Sequence, residues 1–369
     1  MILLLVLLFP FAISLGAFLF GGKRITGKEL AFQLAVVTVP LVITYAIMVN
    51  GLTSDTEIWN GSIAEKHDGT QHCCHSYSCN CHDVCSGTGK DRSCYEHCDT
   101  CYEHSHDIYW EASSTTGKEV YSNTCNPPST EMPQRWGQIY VGEPTAEEHS
   151  YTNYIKGNPA SILNREAVSP RLLAEVPEYP RVYDHYRALR VLDLGVPDVD
   201  VSALNHEMEY MNAQLGPKHQ VDIILILTEE VDPTFAEAVR QKWIGGKKND
   251  VVVIVGMTGA HELLWVDTVS WTQSETMKIN IRDNVLAMHT FDGHKVLGIM
   301  AFEIDQGFNR RHMKEFKYLA SGVEPTKTQM IVLFIIAGIL AIGMSIFCYL
   351  VDAFGEERPA RIPGVYRRF

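Results

Sequence analysis

"VDIILILTEEVDPTFAEAVRQKWIGGKKNDVVVIVG", residues 221–256, reads as strand, helix, strand. "VDIILILT" is the β-branched, apolar run of a buried strand. Asp232 and Pro233 stand where a helix cap and first turn belong, and Gly245-Gly246 punctuate its end. "DVVVIVG" is a second buried strand. Working outward, "DVSALNHEMEYMNAQLG" (200–216) sets Val201, Leu204, Met208, Met211 and Leu215 on one helical face, with Asp200 as N-cap. "HELLWVDTV" (261–269) reads as a third strand, and "FNRRHMKEFKYLA" (308–320) as a closing helix. Strands alternating with helices predict an α/β layered domain, largely parallel, over residues 187–320.

Three uncharged runs flank this domain: "MILLLVLLFPFAISLGAFLF" (1–20), "LAFQLAVVTVPLVITYAIMV" (30–49) and "MIVLFIIAGILAIGMSIFCYLV" (330–351). Each matches the ~20 residues that cross a bilayer. Three transmembrane helices are expected, at 1–21, 30–49 and 329–351. The first lacks a basic n-region and a small-x-small cleavage site, so it reads as retained rather than as a signal peptide. Lys23, Arg24 and Lys28 in the loop 22–29, and Arg358, Arg361, Arg367 and Arg368 in the tail 352–369, assign both to the cytoplasm. The N-terminus and residues 50 to about 326 then lie outside the cytoplasmic (inner) membrane. The basic ends carry +2 and +1 of a total of −13, leaving −16 for residues 30–351. So acidic an outer part argues against nucleic acid and against an anionic lipid surface as its partner; a protein partner in or at the membrane is expected. Ala337, Ala341 and Ser345 form a small-residue stripe suited to close helix packing, within the chain or in a homo-oligomer.

The outer part opens with a Cys/His-rich module, 50–125. "HCCHSYSCNCHDVCSGTGKDRSCYEHCDTC" (72–101) holds eight cysteines. It is poor in aliphatic residues and needs covalent or metal staples in place of a core. "DIYWEASSTTGKEVYSNT" (107–124) alternates about a turn and reads as a β-hairpin. Residues 126–186 form a Pro/Tyr-rich connector with short strands such as "GQIYVGE" (137–143). Outside the cytoplasm, Cys73, Cys74, Cys79, Cys81, Cys85, Cys94, Cys98, Cys101 and Cys125 are disulfide candidates, one of the nine being left over. Eight cysteines allow 105 pairings. The alternative is zinc, held by ligands drawn from Cys79, Cys81, Cys94, Cys98, Cys101 and His104.

The stretch 235–256 resembles the TPM domain of extracytoplasmic and thylakoid-lumen proteins. Trp243, Gly245 and Gly246 match that family's aromatic-x-Gly turn, Asn249 and Asp250 its polar loop, and Val251 to Val255 its strand. Val251 stands where the family has a glycine. The likeness covers roughly residues 187–318. The outer part, with "HSYSCNC", "CDTCYEH" and "RWGQIYVGEP", also resembles membrane proteins encoded by large tailed bacteriophages. The TPM resemblance implies a sheet edge where acidic residues hold a metal, as in relatives described as acid phosphatases. Asp193, Asp198, Asp200, Asn249 and Asp250 are the candidates, with oxygen donors suited to Ca²⁺ or Mg²⁺. Asp200 as a cap and Asn249-Asp250 as a turn are the simpler reading. No GxSxG, HExxH or Walker motif is present, and "GTGKDR" (87–92) lacks the setting of a phosphate loop. His261, His289, His294 and His312 read as ordinary packing or surface residues. The sequence thus implies a non-enzymatic binding or scaffolding protein anchored in the membrane, the alternative being a metal-dependent phosphatase.

Overall fold

The computed structural model describes residues 2–21, 25–87, 89, 92–122, 132, 134–158, 168–183, 187–351 and 354. In chain order the elements begin with helices α1 (Ile2–Phe20) and α2 (Gly27–Thr53). Strands β1 (Ser54–His72), β2 (Ser76–Ser86), β3 (Ser93–Tyr102), β4 (His106–Ser114) and β5 (Glu119–Ser122) follow. Then come α3 (Gln134–Gln138), β6 (Pro144–Thr152), α4 (Tyr154–Gly157), α5 (Pro170–Glu175), β7 (Val182–Tyr183), β8 (Arg187–Ala188) and β9 (Val191–Asp193). The rest are α6 (Val201–His219), β10 (Asp222–Thr228), α7 (Phe235–Lys242), β11 (Asp250–Met257), β12 (Leu263–Ser270), α8 (Glu275–Leu286), α9 (Gly293–Gly307) and α10 (Lys327–Leu350). These elements fall into two compact units, Met1–Asp55 with Tyr151–Arg165 and Met313–Phe369, and Thr56–Ser150 with Glu166–His312.

In the second unit the strand–helix–strand at 222–257 builds a sheet in the order β12-β11-β10-β9. β9, β10 and β11 run parallel, and β12 is an antiparallel edge. Successive side chains on a strand point to opposite faces. Ile223, Leu225 and Leu227 accordingly pack with Leu204, Met208 and Leu215 of α6 and with Ile281, Val285, Val296 and Met300 of α8 and α9. Ile224 and Ile226 pack the other way, with Leu172 of α5 and with Phe235, Ala238 and Val239 of α7. Both faces are covered, which is why these strands carry no polar alternation.

Asp200 caps α6 as expected, accepting from Ala203 N. The cap of α7 is Thr234 rather than Asp232. Asp232 instead shapes the preceding turn, accepting from Thr234 N through its carboxylate and from Phe235 N through its carbonyl. After α7, Ile244, Gly245 and Gly246 all have positive φ (57, 77 and 78°). A Cβ at Gly246 would sit 3.0 Å from Asp250 Oδ2, so the turn needs a glycine there.

The same unit holds an antiparallel sheet in the order β5-β4-β1-β6. β4 and β5 form the hairpin expected around Gly117. Its small core is Ile63, Ala112, Trp136 and Ile139. The strand expected at 137–143 is absent: Trp136 lies on helix α3, and the chain turns at Gly142 (φ 93°) with Arg135 paired to Glu143. β2 and β3 form a separate two-stranded ribbon.

The first unit contains two helices long and apolar enough to cross a membrane, α2 and α10, where three were expected. The described apolar part of α1, Leu4–Phe20, is shorter. Capping boxes start both long helices, at Thr26/Glu29 and Thr326/Gln329. Val6, Val37, Leu41, Leu333, Ala337 and Ala341 form a common core, so the two alanines of the small-residue stripe are buried among α1, α2 and α10, while Ser345 is half-buried. Gln33 Nε2 donates to Ser14 Oγ (2.8 Å), Ser345 Oγ (2.5 Å) and Ala341 O (3.1 Å), a polar tie among these helices. The closing helix expected over 308–320 is instead irregular as far as His312 and then a 3₁₀ segment, Met313–Gly322, none of whose residues is buried. Lys23, Arg24 and the tail arginines lie outside the described residues.

Candidate functional site

The β2–β3 ribbon has almost no buried residue on either face. A two-stranded hairpin of this kind is at best marginally stable in water. Three disulfides supply what a core would: Cys79–Cys101, Cys81–Cys98 and Cys85–Cys94, with Cα separations of 5.8, 4.0 and 4.0 Å. Cys85 and Cys94 lie directly opposite in the register. A bulge between Cys79 and His82, with Asn80 at φ 48°, shifts the strand so that Cys81 meets Cys98. Cys74 is also oxidised. Cys125 lies outside the described residues.

These bonds overturn the zinc set as first drawn. Cys79, Cys81, Cys94, Cys98 and Cys101 have no thiolate to offer a metal, because each sulfur is held by another sulfur. His104, the sixth member of that set, has other neighbours. The β1–β4 ladder ends at His72 opposite His106, and the β2–β3 ladder starts at Ser76 opposite Tyr102. The waist between the two ladders carries Cys73, His75, His104 and Asp107, whose potential ligand atoms lie within 4.8 Å of one another. Cys73 is the exception to the disulfide expectation: it is a free thiol, 2% exposed. Asp107 is equally buried; it pairs with His104 Nε2 and accepts from Cys74 N at 3.0 Å. The His104 contact, then the Cys74 N–H, hold its carboxyl below the usual range.

The acidic candidates divide between two edges of the α/β sheet. Asp193 ends β9 beside Leu227, whereas Asp250 starts β11 beside Asp222. Five residues of β10 separate the two levels, about 16 Å at ~3.3 Å per residue. The single Ca²⁺ or Mg²⁺ site drawn from all five is therefore not assembled. Asp193 accepts from Val196 N and Asp200 from Ala203 N. Asp198 and Asp200 line a shallow cleft with His261, Phe291 and His294. Among the described residues, no third carboxylate, imidazole or thiol joins them within ligand range. Of the histidines, His261 is held against the Pro197 carbonyl and His294 against Glu207.

At the other edge, Asn249 donates to Ile58 O, and Asp250 is fully buried beside Asp222. Tyr179 OH donates to Asp250 Oδ1 at 3.1 Å. Asn60 Nδ2 donates to Asp222 Oδ1 at 2.8 Å. Arg190, 1% exposed, sets its Nε 2.9 Å from Asp222 Oδ1 and donates from Nη2 to Asn60 Oδ1. This network ties β1 to the sheet. Burial, then the neighbouring Asp222, push the Asp250 carboxyl up to about 8. Burial also raises Asp222 and, with both carboxylates, raises the Tyr179 phenol, which stays a donor.

The native state thus holds a proton on Asp250 that an unfolded chain releases near 3.8. Bound protons then favour the native state, so this group's contribution is complete below about pH 4 and drains away as pH climbs through about 8. Thermal unfolding of the second unit across that window should show stability falling with pH, and Asp250→Asn should flatten the slope. A wild-type slope of the opposite sign, or one unchanged in the variant, contradicts the assignment.

The waist cluster was missed because Cys73 and His75 stand about thirty residues from His104 and Asp107. Its sequence signal was the odd cysteine among nine. Arg190, within "ALRVLDLG", and the Asp that opens both β10 and β11 were visible signs of the buried network. The chain matches no protein-family model, no curated protein and no solved structure.

Proposed function

We propose that the chain is a membrane-anchored extracytoplasmic binding protein whose contact element is the β2–β3 ribbon. The observation that carries this reading is a ribbon exposed on both faces yet fixed by three disulfides. Tyr77, Tyr95 and Tyr102 on it are 52%, 60% and 45% exposed. Tyrosine offers large contact area at low entropic cost, and a pre-stapled strand pair loses little freedom on binding. Disulfides of this density belong to an oxidising compartment. In this reading α1 is a third span: 19 residues rise about 28 Å, near the ~30 Å hydrocarbon core. The N-terminus and residues 50–326 then lie outside the inner membrane. On the likeness to phage-encoded membrane proteins, the partner is a protein of a host cell's envelope, and on the TPM likeness the α/β sheet is the scaffold that carries the arm.

A photo-crosslinking residue at Tyr77 or Tyr95, in the native membrane, should give a discrete adduct that the same residue at exposed Phe302 does not. Equal labelling at all three positions contradicts the reading. The phosphatase alternative predicts phosphoester hydrolysis dependent on Ca²⁺ or Mg²⁺. The division of the acids between two sheet edges speaks against it.

A further inference from the structure

We propose that Cys73, His75, His104 and Asp107 bind one zinc ion at the waist between the two β-ladders. Four side chains of the donor types zinc prefers converge there, their ligand atoms within 4.8 Å of one another. A tetrahedral zinc with bonds of about 2.0–2.3 Å holds its ligand atoms roughly 3.3–3.7 Å apart, a modest contraction of that cluster. One thiolate and one carboxylate balance the dication. Two imidazoles complete a closed, four-coordinate shell, which is the pattern of a structural site. Binding converts the Cys73 thiol to thiolate and releases its proton to solvent.

A second observation points the same way. Among the described cysteines of residues 54–122, Cys73 alone is unoxidised, although Cys74 beside it is disulfide-bonded. Nine cysteines among residues 50–125 leave one without a partner in the chain, and the one left free among those described is the buried thiol of this donor cluster. The location supplies the role. Residues 73–75 and 103–105 interrupt the ladders, with Glu103 N donating to His75 O as their backbone bond. Cys73 and His75 come from the outgoing strand, His104 and Asp107 from the returning one. A metal joining all four fixes the direction in which the ribbon leaves the sheet. The site stands apart from the ribbon's proposed role in binding, and its test uses no partner.

The full-length chain, purified in detergent without reductant or chelator, should contain one zinc by elemental analysis. Cobalt(II) in its place should show a thiolate-to-metal charge-transfer band and the strong visible bands of a tetrahedral centre. Cys73→Ser should abolish the charge-transfer band, and His104→Ala should remove stoichiometric metal. Glu96→Gln, on β3 of the ribbon, should leave both unchanged. Zinc should also shield Cys73 from alkylation until a chelator is added. Wild-type chain that takes up neither zinc nor cobalt overturns the proposal without recourse to any variant. So does metal retained undiminished in both Cys73→Ser and His104→Ala.

Discussion

Replacing Arg190 by methionine should lower the stability of the α/β sheet by about 3–5 kcal/mol, the cost of stranding a buried charge. Arg190 is buried between Asn60 and Asp222, and Asp222 is itself inaccessible to water. With the guanidinium gone, the Asp222–Asp250 pair loses its cation while keeping its burial. Protonation of the second acid recovers only part of the loss. Asp222→Asn in the same chain should restore much of it, because the charge that needed a partner is gone as well. Hydrogen exchange at residues 223–227 in the full-length chain reads the effect. A loss below about 1 kcal/mol would mean that the network holds no net charge.

The second large effect belongs to the ribbon. The three disulfides close sequence separations of 22, 17 and 9 residues. Each contributes about 2–4 kcal/mol, and among the described residues no apolar cluster lies behind them to take over. Reductant should therefore erase amide protection across 76–102. Residues 222–228 and 250–257, with apolar packing on both faces, should keep theirs. Loss of protection in both regions together, or in neither, contradicts the view that the ribbon is held by its cross-links alone.

The α/β layer was legible because its signals are local: buried apolar runs, a helix between them, and glycines where φ must be positive. Helices α8 and α9 were less legible. Met277, Ile281 and Val285, and then Val296, Leu297, Met300 and Ile304, do recur at helical spacing. Short polar faces such as "KINIRDN" dilute that pattern. The 3₁₀ segment at 313–322 shows the reverse error: a helical composition without a face to bury. At the candidate site the cysteine-rich stretch was conspicuous, but its pairing depends on the bulge at Asn80, a backbone event that spacing alone does not reveal. The four aspartates and Asn249 looked like one group because a strand end and a strand start read alike in sequence. Only the parallel register separates Asp193 from Asp250.

On the proposed topology, β2 and β3 fold outside the cytoplasm as a disulfide-stapled arm. Alkylating all accessible thiols in intact cells before lysis, then mapping peptides of the extracted chain without reduction, tests it most directly. The account predicts cross-linked peptides joining Cys79 to Cys101, Cys81 to Cys98 and Cys85 to Cys94, with no alkyl group on any of the six. Alkylated cysteines at those six positions would put the ribbon in a reducing compartment and contradict the account.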